Sequence, residues 1–103
     1  MTLDELKILL ETTQLPVAFD HFKTEQKLPY LVYIVTGNNS FPADNKMYHT
    51  DAVIQLELYT LFKSEDTEST VETVLNGVPF FYTKTEGYLS DEQMYMVTYQ
   101  FTL

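Results

Sequence analysis

Apolar side chains recur along this chain in two rhythms, one of about 3.6 residues and one of 2, and each change of rhythm marks an element boundary. Thr2 and Glu5 form a T-x-x-E capping box, and Leu3, Leu6, Leu9, Leu10 and Thr13 then follow at helical spacing until Pro16. This predicts a first helix over residues 3–13. Pro16, Val17, Ala18 and Phe19 lead into a polar connector that ends at Leu28-Pro29, with room for a brief pairing at a sheet edge.

From Tyr30 to Thr36 the run is β-branched or aromatic on both alternating faces, the pattern of a strand covered on two sides, either in a sheet centre or in an oligomer. Gly37-Asn38-Asn39 then signals a turn into a long polar loop that reaches Tyr48. Between Asp51 and Phe62 the alternation is clean. Ala52, Ile54, Leu56 and Leu58 form one face, and Asp51, Val53, Gln55, Glu57 and Tyr59 form a second, semi-polar one. Ser64 is a predicted N-cap, followed by Glu65, Asp66 and Glu68, which complement the helix dipole, and by Val71, Val74, Leu75 and Val78 on one face. Asn76-Gly77 stops this second helix, predicted over residues 65–76. Phe80 to Glu86 and Gln93 to Phe101 read as two strands joined through Gly87-Tyr88-Leu89-Ser90-Asp91.

The resulting order is α-β-β-α-β-β. Short connections favour a single α+β domain over residues 1–103, with an antiparallel or mixed four-stranded sheet and both helices on one face.

Composition, the N-terminal segment and charge change this picture in four ways. Apolar residues make up 45% of the 103 and aromatic residues 15%, so the chain folds around a core. Cysteine is absent, which removes disulfides and thiolate metal sites and fits a reducing cytosol. The acidic start Met1-Thr2-Leu3-Asp4-Glu5 has neither the basic nor the apolar segment of a signal peptide, and no apolar run is long enough for a membrane span. Finally, 15 acidic residues stand against 6 lysines and no arginine, a formal charge of −9. Without arginine's bidentate fork, and with a repulsive field, specific nucleic-acid binding is not expected.

Candidate chemistry is sparse. His21 and His49 stand far apart with no ligand spacing around either, so no metal or other cofactor is expected. Ser40, Ser64, Ser69 and Ser90 occupy turns or helix starts, and Gly37, Gly77 and Gly87 build no phosphate loop. Glu57 with Asp51, or Glu86 with Asp91 and Glu92, are acid–base pairs only in the sense that any 15 acids supply some. The expectation is a protein that is not an enzyme. Surplus apolar surface is the stronger signal: Phe41, Met47 and Tyr48 in the long loop, with Val53 and Tyr59 on the semi-polar strand face, are the candidate protein interface.

The succession of a leading amphipathic helix, Leu28-Pro29-Tyr30, Phe41-x-Ala43-Asp44-Asn45-x-x-Tyr48, Leu58-Tyr59 and Glu92-x-x-Tyr95-x-x-x-Tyr99 covers nearly the whole chain. It resembles the tail-completion or tail-terminator (head-tail joining) proteins of long-tailed phages and prophages of Gram-positive bacteria. The resemblance implies a structural virion protein that forms a hexameric ring, caps the tail tube and joins it to the head. Its implied partners are copies of itself, the tail tube protein and a head-completion protein. Its implied location is the tail or neck of the virion, with assembly in the host cytoplasm. Neck connectors of head-completion type share this size and composition, and a monomeric acidic DNA mimic is the alternative that the charge alone suggests.

Overall fold

The computed structural model describes residues 1–38, 52–78 and 81–103. Phe41, Met47, Tyr48, His49 and Asp51 lie outside the described residues. The elements are α1 (Leu3–Glu11), β1 (Val17–Phe19), β2 (Tyr30–Asn38), β3 (Ala52–Thr60), α2 (Glu65–Asn76), β4 (Tyr82–Leu89) and β5 (Met94–Thr102). The chain is an α+β domain with two helices and one five-stranded mixed sheet in the order β1-β2-β3-β5-β4.

The expected four-stranded order therefore gains a strand. Val17, Ala18 and Phe19 run parallel to Leu31, Val32 and Tyr33, while every other neighbouring pair is antiparallel. Three residues are too few to display an alternation. This strand is held by its flanks: Leu31 N–H donates to Pro16 O at 2.8 Å and Asp20 N–H to Tyr33 O at 2.9 Å. Pro16 sits just ahead of the edge strand, where a missing N–H leaves no gap in the ladder.

Other boundaries moved for local reasons. α1 stops at Glu11 rather than Thr13, because the Thr13 hydroxyl donates to Leu10 O at 2.7 Å and accepts from Leu15 N–H, closing a turn instead of a helix. β2 runs past Thr36 to Asn38 through a register shift between Val35 and Gly37, a bulge that leaves Thr36 without a partner of its own on β3. The expected turn at Gly87-Tyr88-Leu89 is strand. The chain reverses instead over residues 90–93, where Gln93 adopts φ 53° so that Met94 can pair with Leu89. The last two strands accordingly start and end later than their hydrophobic runs suggest.

One face of the sheet carries the core. Leu31 and Tyr33 of β2, Ile54, Leu56 and Leu58 of β3, and Val97, Tyr99 and Phe101 of β5 pack with Leu6 and Leu10 of α1 and Val71 and Leu75 of α2. These are the alternate residues of each strand, in matching register across the sheet. At about 25 cal/mol per Å² of apolar surface removed from water, each fully buried leucine or valine contributes roughly 1.5–3 kcal/mol.

Candidate functional site

The residues that alternate with the core ones define the opposite sheet face. They are Tyr30, Val32 and Ile34 on β2, Val53, Gln55, Glu57 and Tyr59 on β3, and Met94, Met96, Thr98 and Gln100 on β5. Both helices are committed to the core side. The expectation that Tyr30 to Thr36 is covered on two faces is met in part, by the connector after β1: the Phe22 ring stands edge-on to Tyr30 with centroids 5.3 Å apart, and Val32 is buried. Ile34, farther along the strand, is only half-buried.

Where the connector crosses the sheet a groove opens, with Phe22, Gln26, Tyr30, Glu57, Tyr59 and Glu92 in its lining. Tyr30 and Tyr59 face each other across β2 and β3, centroids 5.2 Å apart. Tyr59 Oη donates to Glu57 Oε1 at 2.8 Å, and Gln55 Nε2 donates to Glu57 Oε2 at 2.7 Å. Burial pushes the Tyr59 hydroxyl up, the Glu57 hydrogen bond pushes it further, and Tyr30 is raised by burial and then by the Glu57 charge. Both phenols therefore stay protonated near neutral pH. With both Glu57 oxygens engaged by neighbours two residues away, the groove offers a half-wet aromatic surface rather than a free base.

The two described candidate interface residues, Val53 and Tyr59, lie on this one face but at opposite ends of β3, about 20 Å apart at the usual rise per residue. Tyr59 belongs to the aromatic groove. Val53 lies beside a second shallow surface lined by Phe81, Thr83, Gln100 and Thr102. Phe81 is 98% exposed, an apolar contact surface just ahead of β4 where the hydrophobic pattern predicts the start of a strand.

Of the candidate carboxylates, Asp51 is outside the described residues, and Glu86 is held by Lys63 and by Tyr95 Oη, the latter at 2.6 Å. His21 is exposed and meets Asp20 at 2.7 Å. Among the described residues no three His, Asp or Glu side chains are grouped as metal ligands, and no helix is long and apolar enough to cross a membrane.

On the core side lies a polar network that was not among the expected sites. Glu68 is 3% exposed, and its Oε1 accepts from both Lys63 Nζ and Lys84 Nζ at 2.8 Å. Lys84 also reaches Glu72 Oε2 at 2.8 Å, which accepts from Tyr99 Oη at 2.7 Å. The hydrogen bonds that Lys63 donates to Glu68 and Glu86, and Lys84 to Glu68 and Glu72, raise both lysines above their ordinary value and hold them charged. The network fastens α2 to β4 and β5. Two signals could have found it: Glu68 shares the helical face of Val71 and Leu75, and Lys84 and Glu86 share the strand face of Tyr82 and Tyr88. No protein-family model and no curated protein matches the chain.

Proposed function

We propose that this chain is a structural virion protein that caps the tail tube of a long-tailed phage and joins it to the head, as a hexameric ring. What supports this role is the sheet face opposite the helices, where Tyr30, Ile34, Tyr59, Met94 and Met96 stay half-buried in the single chain. Aromatic and methionine side chains at that level of exposure gain from burial against a neighbour, as in the head-to-tail contacts of a ring that closes by rotation. The charge of −9 suits a lumen through which DNA slides without adhering.

Native mass spectrometry across a concentration series, in low and moderate salt and with tails lacking the chain, tests the role. Rings of six are expected to form once tails are added, with more assembly as salt screens the acidic subunits. A chain that never binds tails, together with normal tail lengths and normal head joining after its deletion from a phage that carries it, would overturn the role.

A further inference from the structure

We infer that the outer edge of β4 is a two-fold interface, on which a second copy of this chain pairs antiparallel with its own β4, centred on Thr85. Among the described residues β4 has a strand on one side only, and it pairs with β5 along its whole length from Tyr82 to Leu89 without a bulge. Native edges are ordinarily shortened, bulged, covered or charged, and of these devices β4 has only the charges of Lys84 and Glu86 among the described residues. Here the edge is long and straight, Thr83 to Tyr88 are all exposed, and it is flanked by the bare ring of Phe81.

The sequence of the strand selects the partner. In an antiparallel pair that keeps both helical layers on one side of the joined sheet, directly opposed residues share a face, so the two-fold axis passes through a residue. Centring on Lys84 opposes two lysines, and centring on Glu86 opposes two glutamates. Centring on Thr83 or Gly87 shortens the overlap and matches no charges. Centring on Thr85 opposes Lys84 to the second copy's Glu86 twice, Tyr82 to Tyr88 twice and Thr83 to Gly87 twice, and brings Phe81 next to Leu89. Charge and aromatic complementarity therefore coincide in one register, and that register is self-complementary, as an isologous contact requires. Lys84 and Glu86 already belong to the network around Glu68, so pairing makes the two networks continuous across the axis.

This contact is independent of the tail role. It uses a strand edge, leaves the open sheet face free, and closes at two copies, so it provides a state in which the free chain waits with the longer of the two sheet edges among the described residues covered. Thr85 is exposed, and substitutions there leave the Glu68 network untouched.

The test is sedimentation or native mass spectrometry of the full chain with Thr85→Lys and Thr85→Glu, separately and mixed. The unsubstituted chain is expected to be a dimer, and each variant alone a monomer, because like charges then meet on the axis. An equimolar mixture is expected to restore a dimer containing one of each. Thr85→Lys lowers the overall repulsion between two acidic chains, so its loss of dimer would report the local contact and not net charge. A monomeric unsubstituted chain, or dimers that survive in both variants, would overturn the inference; neither result bears on binding to tails, which is scored separately.

Discussion

Lys84 Nζ lies 2.8 Å from Glu68 Oε1, so a cation on an edge strand meets a carboxylate buried beneath α2. The two ends of this pair differ in exposure, 31% for the lysine side chain against 3% for the glutamate, and that asymmetry decides which of them is costly to remove. Lys84→Met leaves a buried carboxylate with Lys63 as its only cation, and should cost about 2–4 kcal/mol of stability. Glu68→Leu leaves each lysine with another acid, Glu86 for Lys63 and Glu72 for Lys84, and should cost no more than about 1 kcal/mol. Urea denaturation of the two variants checks the order, and equal losses would mean that Glu68 is solvated.

The same network makes stability depend on pH from both sides. Partial burial pushes Glu72 up, but the hydrogen bonds from Lys84 and Tyr99 outweigh it and leave the group below its ordinary value of 4.5. Glu86 is held below 4.5 by Lys63 and then Tyr95. A carboxylate with a depressed folded-state value contributes above its unfolded value and is lost as pH falls through the folded one. Lys63 and Lys84, raised above 10.5, contribute fully below 10.5 and are lost as pH rises through their folded values. The network should therefore be at full strength between those limits. Its acid loss opposes the relief of net repulsion as other acids protonate, so Glu72→Gln should flatten the acid limb of a urea-midpoint profile; an unchanged limb would sink the assignment.

Tyr99 combines a fully buried ring with a polar tip. Its edge-on contact with Tyr82, centroids 5.5 Å apart, and its place between Leu56 and Lys84 across the sheet fix the ring, while Oη donates to Glu72. Tyr99→Phe keeps the packing and removes a charge-assisted hydrogen bond, for an expected loss of about 1.5–3 kcal/mol. It should also raise the Glu72 carboxyl, visible by NMR titration. Thermal unfolding that matches the unsubstituted chain would show that the hydroxyl bond adds nothing net.

How much of this was legible in the residues varies with the strength of the local signal. The capping box at Thr2 and Glu5 and the N-cap at Ser64 place both helices, because each fixes orphan backbone groups with side chains nearby in sequence. The clean alternation in Ala52–Thr60 gives the core face of β3 directly. β1 was legible only as a brief edge contact, since its pairing is set by Leu31 and Tyr33 many residues later. Gly87 looked like a turn residue, but the reversal falls at Gln93 because pairing with β5 outweighs the glycine's local preference. Glu68 was assigned to the helix dipole; its burial depends on Lys63 and Lys84, which only the fold brings together.

The proposed assembly surface has its cleanest probe at Ile34. Tyr59 is a poor choice despite its place among the interface candidates, because an acid there would lose the Tyr30 contact and face Glu57, confounding folding with assembly. Ile34 is half-buried on the open face, opposite Gln55, with its side chain outside the core cluster. Ile34→Asp should cost the monomer no more than about 1 kcal/mol, because solvent can still reach the new carboxylate. In a ring whose contacts desolvate that face, the same charge should weaken assembly by about 2 kcal/mol or more, roughly a thirtyfold loss at each contact. The β4 edge is untouched, so the two-fold dimer should persist in the variant while rings and tail binding are lost. Rings that form as readily with aspartate at this position would place the subunit contact elsewhere, and a variant that unfolds would place Ile34 in the core.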